Sequence, residues 1–434
     1  MEFLKAVSGP PLIRRAAAAA VLLLLAAFPR YGSAEVGISG QSATYIQSRE
    51  TADGSGLLPL YEYLDFTVQD LGSESVSVHF GGWLGYDLKD DSFGQNKDKD
   101  RNIQYGYVSY RTKEHNAVVN LGRVMVFEGV AAERLDGVYA RTDIKGGFGV
   151  SVFGGTPSII SEKPENNTIY GGRLSHQSDG LYTVGLSYLT EDKNSDIWRR
   201  EGGLDLWVRP MNKVELTGRS SFNFQTVGWM DHSYYLLFGP FDKLRVNTEA
   251  TWINYEDYFA SSTSSVFRLT PGGILDPREK VSILGPEAFY AINENWAVSA
   301  DYKAYSYDIA GSASYYGVKA TFRTPKSYAA GLSLHKMDGE TNRLKYDEYR
   351  IYASKKINKV DIAVDVLDVK YKEPINSVTN AYSATLAAGY ELTQKLKLGA
   401  DVEYSKNPDF DKDIRFFMKL NYRFDAELGK RKGV

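Results

Sequence analysis

The 434-residue sequence predicts an all-β protein, a single transmembrane antiparallel β-barrel of about 22 strands, plus or minus two, with no plug domain. Three observations carry this. Segments of about 9 to 13 residues alternate apolar and polar side chains, with Tyr, Phe and Trp near their ends, as strands do when one face meets lipid and the other water. After residue 34 no run of 18 apolar residues occurs, so no bilayer-spanning helix is encoded there. Short and longer connections alternate along the chain, the pattern of barrels with short periplasmic turns and longer outer loops.

Residues 1–34 read as a secretory signal peptide: Lys5, Arg14 and Arg15, then an apolar run from Ala16 to Phe28, then Gly32-Ser33-Ala34. The apolar run, about 13 residues, is short for a membrane-spanning helix. The barrel is expected over residues 35–424. The leader carries a net charge of +3, so the remainder carries −6 where the whole carries −3. That balance excludes the basic footprint of a nucleic-acid binder. Without Cys there is no disulfide, thiolate metal site, lipidated Cys or C-x-x-C-H haem attachment. The chain itself is expected to hold no cofactor, and any haem belongs to a partner.

The alternation is clearest near the C-terminus. Leu396, Leu398, Ala400, Val402 and Tyr404 share one face, opposed by Lys397, Gly399, Asp401, Glu403 and Ser405. In the next segment Phe416, Met418, Leu420, Tyr422 and Phe424 oppose Arg415, Lys419, Asn421 and Arg423. Segments start near 36, 57, 75, 101, 117, 134, 148, 167, 181, 197 and 213, then near 229, 243, 281, 296, 312, 327, 343, 359, 380, 396 and 413. Their length suits a tilted bilayer crossing better than a soluble sandwich, and unpaired edges cannot sit in lipid, so the strands must close.

Even-numbered connections average about four residues, as at Ser178-Asp179-Gly180 and Asn293-Glu294-Asn295, and odd-numbered ones about nine. Two odd connections, near 226–228 and 309–311, are short enough to conceal two strands. An even count places both chain ends in the periplasm. The ending Tyr422-Arg423-Phe424 resembles the terminal signal read by the barrel assembly machinery, but a basic tail, residues 425–434 with Lys430, Arg431 and Lys432, follows it. That tail is either a disordered end or a periplasmic docking handle.

About 22 strands spaced ~4.8 Å and tilted ~40° give a circumference near 140 Å and a backbone diameter of roughly 44 Å. Such a bore calls for an occupant, yet the first strand starts close to the signal cleavage site, and the longest connection, Glu256 to Lys280, is too short to fill it alone. Either loops fold inward or another protein sits inside. The stretch from Leu121 to Val138, with its Gly122-Arg123, Glu128-Gly129-Val130 and Arg134-Leu135-Asp136-Gly137 elements, resembles the place in porin-like barrels where a strand gives way to an inward segment.

Across the mature chain the architecture is similar to the barrel component of porin-cytochrome electron conduits of metal-reducing bacteria. That resemblance implies a sheath around a periplasmic multihaem cytochrome that hands electrons to an outer-surface multihaem partner. Arg123, Glu128, Glu133, Arg134 and Asp136 are candidates for a constriction of opposed charges, the other reading being the solvated charges of an ordinary outer loop. Further lumen-facing candidates are Arg141, Arg173, Arg219, Arg245, Lys303, Lys319, Arg323, Lys397 and Lys419, with Asp205, Glu215, Glu249, Asp301, Asp401 and Glu403. Their signs are mixed, so no ion or solute class follows.

Other chemistry is weak. The five His have no metal-ligand spacing, and Asp231-His232 stands without any nucleophile motif, so no enzyme is expected. Asp98-Lys99-Asp100 and Asp409-Phe410-Asp411-Lys412-Asp413 lack the Gly and Glu of a calcium loop; they read as solvated loops or weak divalent-ion sites beside lipopolysaccharide. Tyr61, Tyr63, Tyr105, Tyr107, Trp252, Trp296 and Tyr390 read as interfacial girdles against outer-membrane lipid. The leading functional reading is a cytochrome sheath; the alternative is an open diffusion porin, and a third is a barrel whose loops bind a surface partner. Loops of about nine residues weigh against the third.

Overall fold

In the computed structural model the chain is described over residues 36–50, 56–89, 99–112, 114, 116–158, 167–194, 196–261, 276, 278–325 and 328–428. The expected signal peptide, most of the long connection after Glu256 and the end of the basic tail lie outside these residues. Twenty-two long strands form one sheet. In chain order they are β1 Val36–Glu50, β2 Pro59–Gln69, β3 Val76–Asp87, β4 Lys99–Arg111, β5 Ala117–Glu128, β6 Ala131–Ile144, β7 Phe148–Pro157 and β8 Asn167–Ser178. Then come β9 Tyr182–Lys193, β10 Asp196–Met211, β11 Val214–Asn223, β12 Gly228–Phe241, β13 Leu244–Asn254, β14 Lys280–Ala291 and β15 Trp296–Tyr307. The last are β16 Gly311–Thr324, β17 Tyr328–Gly339, β18 Lys345–Ile357, β19 Val360–Ile375, β20 Val378–Glu391, β21 Leu396–Asn407 and β22 Phe410–Leu428. A two-residue piece, Gly56–Leu57, extends the β1 ladder above β2.

Neighbours pair antiparallel throughout, and β22 closes on β1 from Val36↔Leu428 to Ser48↔Phe416. Closure leaves no edge, which is how a sheet satisfies its backbone groups in lipid. Each strand starts within three residues of the position expected from the sequence. The short connections near 226–228 and 309–311 conceal nothing: they are the four-residue turn Phe224 to Val227 and the three-residue turn Asp308 to Ala310. The last strand continues through Leu428, so residues 425–428 of the expected tail belong to the sheet.

Odd-numbered connections are shorter than expected because strands continue into them. Gly129-Val130, Asn376-Ser377 and Pro408-Asp409 are two-residue links. Within the long connection after Asn254, a short helix α1, Tyr255–Ser261, lies over the strand ends; Asn223 Nδ2 donates to Asp257 O at 3.1 Å. No helix among the described residues is long and apolar enough to cross a membrane, which bears on helices alone.

The outward face is apolar and uncovered by protein, as at Leu121 (64% exposed), Leu186 (60%) and Ile351 (57%). At ~25 cal/mol per Å² this belt is stable only against lipid. The buried core is small and lies inside the barrel: Val124, Val126, Ala131 and Leu135 from β5 and β6 pack on Phe153, Ile169 and Leu189 from β7, β8 and β9. It exists because the tip of the β5–β6 hairpin folds inward.

Candidate functional site: the lumen and its inward hairpin

The β4–β5 ladder ends at Gly106↔Arg123, whereas β5 and β6 stay paired to Glu128↔Ala131. Beyond Arg123 the hairpin leaves the wall. Gly122 marks the departure with φ +130°, and a Cβ there would collide with the Gly106 carbonyl, so only Gly fits. The inward face of the hairpin then lies on the inward faces of β7 to β10. At its tip the Val130 N–H donates to Ser187 Oγ at 3.0 Å, and Val130 occupies the space where Gly203 of β10 lacks a side chain.

The five constriction candidates divide between the two faces of this hairpin. Arg123, Arg134 and Asp136 sit on one face, at the notch left in the wall. Arg123 forms a two-pronged pair with Asp136, at 2.6 and 2.7 Å, and donates to Ile103 O at 3.0 Å. Arg134 donates to Ser158 O at 2.9 Å and Asn102 Oδ1 at 2.8 Å. The guanidiniums thus satisfy acceptors of the flanking chain segments where the ladder is interrupted. Glu128 and Glu133 sit on the other face. Tyr139 donates to Glu128 at 2.6 Å, with Arg141 at 3.6 Å and Arg173 at 3.9 Å from the same carboxylate. Glu133 pairs with Arg199, whose Nε also lies 3.4 Å from Glu201 and 3.6 Å from Glu191. The five candidates for a constriction of opposed charges are thus divided in place: three close a gap in the wall, and two fasten the hairpin to it.

All fifteen other lumen candidates fall on the inward face, as the strand registers place them. Two pairs among them are bridged across an intervening strand, and a third carboxylate meets a histidine in the same way. Arg173 of β8 crosses β9 at Gly185 to reach Asp205 of β10, at 2.9 and 2.5 Å. Lys303 of β15 crosses Gly285 of β14 to Glu249 of β13 at 2.7 Å. His335 of β17 crosses Gly317 of β16 to Asp301 of β15 at 2.9 Å. The glycines leave the wall flat enough for the bridge. Gly185→Val is expected to push the Arg173 guanidinium off Asp205 and to destabilise the barrel by about 1 to 3 kcal/mol, read by urea unfolding in detergent.

Sequence reasoning missed two features. Arg199, Glu191 and Glu201 share the inward parity of β9 and β10, but a bulge between Glu191 and Asp192 sets which of them meet. The second is aromatic. Tyr61, Tyr63, Tyr105 and Tyr107 are not girdle residues; they face inward with Tyr45 and Trp83, as the pairings Tyr45↔Tyr61, Tyr63↔Trp83, Gly81↔Tyr105 and His79↔Tyr107 require. Ring centroids are 5.1 Å apart for Tyr45 and Tyr63 and 5.7 Å for Tyr61 and Trp83. A second inward field holds Tyr305, Tyr307, Tyr315 and Tyr346 beside His335. Trp252, Trp296 and Tyr390 do face outward near strand ends.

The remaining candidates disperse. Asp231 points inward to Arg219 at 3.5 Å, while the neighbouring His232 points outward to Ser220 Oγ at 2.7 Å, so they form no acid and base pair. Asp409 pairs with Arg343 and Asp413 with Arg415, and no group of three or more metal-ligating side chains gathers among the described residues.

No known protein family matches the sequence, and no curated protein sequence does. Among solved structures, a variant of the ferric enterobactin receptor of Pseudomonas aeruginosa superposes with a TM-score of 0.56 at 10% identity, over 91% of this chain and 81% of that one. A second variant of that receptor, in complex with enterobactin, gives 0.53 at 11% identity, over 91% and 82%. OccAB4 of Acinetobacter baumannii gives 0.47 at 9% identity, over 91% and 99%. The receptor likeness is one of fold. Together with the apolar belt and the charged lumen, it defines this chain as a large outer-membrane-type β-barrel.

Proposed function

We propose that the chain is a passive channel for small hydrophilic solutes across a Gram-negative outer membrane. The observation that supports this best is the inward hairpin: it is packed on the inner wall of β7 to β10 and covers only four strands of a 22-strand bore. Among the described residues the rest of the inward face carries charged and hydroxyl side chains suited to water, beside its two aromatic fields. Purified barrel in planar bilayers should give stable ohmic steps with a cation to anion permeability ratio near one, because the wall carries charges of both signs. Insertion without conductance would overturn the reading.

The second reading is the cytochrome sheath, with a periplasmic multihaem cytochrome in the lumen and an outer-surface partner. What favours it is the pair of inward tyrosine-rich fields, since Tyr and Trp are the side chains protein interfaces favour. Its test is a pull-down of tagged barrel from native outer membrane, read by haem stain: stoichiometric haem protein would establish the sheath, and a haem-free conducting barrel would dismiss it.

A further inference from the structure

We infer that the inward aromatic field on β1 to β4 is a binding surface for the pyranose rings of neutral oligosaccharides passing through the lumen. The inference rests on the channel reading above and gives that channel a solute class. Tyr45, Tyr61, Tyr63, Trp83, Tyr105 and Tyr107 form two runs of neighbouring rings on adjacent strands. Within the first run, Tyr63 and Trp83 lie 6.4 Å apart, and Lys419 caps Tyr45 with its ammonium 4.9 Å from the ring centroid. Tyr105 lies over Gly81, which keeps the ring against the wall.

This field faces water, where an extended apolar surface gains by being covered. A purely apolar solute would partition into the surrounding lipid and has no need of a hydrated pore. A strongly charged solute meets charges of both signs on this wall, Arg245, Lys319 and Lys419 as well as Glu215, Asp401 and Glu403, so no single-sign field selects it. What remains is a hydrophilic solute with an apolar face. A pyranose ring presents axial C–H groups for stacking, while its equatorial hydroxyls reach phenolic oxygens and the inward Asp65. Each pyranose face that covers an aromatic ring takes apolar C–H and ring surface out of water, so the loss of each ring is measurable.

The test uses full-length barrel in planar bilayers in KCl, with maltohexaose added at millimolar concentration. Expected are reversible interruptions of current whose frequency scales with sugar concentration. The Tyr63→Ala, Trp83→Ala double variant should shorten the blocked time roughly tenfold or more. Tyr63→Phe, which keeps the ring, should leave it within about a factor of three. Titration of tryptophan fluorescence with maltohexaose, against Trp83→Phe as control, reads binding independently of conduction. Conductance indifferent to the sugar, with no fluorescence change, overturns this inference and leaves the channel standing. Loss of conductance with sugar binding intact overturns the channel and leaves the site. A haem protein that co-purifies and blocks the fluorescence change assigns the rings to a protein partner and overturns the inference.

Discussion

Arg199→Ala is expected to cost about 3 to 5 kcal/mol and to free the inward hairpin. Arg199 is 7% exposed and stands among Glu133, Glu191 and Glu201, the first from the hairpin and the other two from the wall. Removing the cation leaves three facing carboxylates in a site with little water, and their repulsion acts along the line that separates hairpin from wall. Two readouts should move together: the urea midpoint in detergent falls, and single-channel current becomes noisier as the hairpin samples undocked positions. Adding Glu133→Gln should recover part of both, because it removes the repulsion that acts on the hairpin. A quiet, wild-type current in the single variant would show that the ion cluster does not hold the hairpin.

Leu135→Ala tests the other half of the attachment. Leu135 is fully buried and packs with Val124, Val126 and Ala131 against Phe153, Ile169 and Leu189. Truncating a buried leucine costs about 2 to 5 kcal/mol, the spread reflecting how far the surroundings collapse. Here the cost should fall on docking of the hairpin and leave closure of the barrel intact, because the ladders of the wall, Leu135↔Pro157 included, are held by backbone hydrogen bonds that the truncation leaves in place. Limited proteolysis should cut near Gly129-Val130 faster than in the wild type, while heat-modifiable migration of the barrel is unchanged. Loss of that migration would mean the hairpin core supports the whole barrel.

Most of the wall was legible because its chemistry is binary: lipid outside, water inside, one residue apart. The inward positions of Lys397, Asp401 and Lys419 follow from counting by twos. The hairpin was half legible. Val124-Met125-Val126-Phe127 is apolar on both faces, so the alternation that marks a lipid-facing strand fades there, yet spacing alone does not say that one face meets the wall. The aromatic field was misread because parity is ambiguous in Leu60-Tyr61-Glu62-Tyr63-Leu64-Asp65, where both faces carry a carboxylate. Glu62 is the outward one, satisfied by Ser42 and Thr44 hydroxyls at 2.5 Å, and only the register with β1 reveals that. Arg199 shows the same limit, since a bulge decides its neighbours.

The strand-skipping bridges bear on how such a barrel finds its own alignment. Sliding one strand by two residues keeps every outward side chain outward, so lipid cannot tell the correct alignment from the slipped one. The water side can. A two-residue slip would place Thr183 or Ser187 under the Arg173 guanidinium, Ile283 or Glu287 under Lys303, and Tyr315 or Lys319 under His335, in place of the glycines each bridge requires. Each bridge spans three strands and therefore checks two registers at once. In this barrel the proofreading of assembly is carried by the face that never touches the membrane.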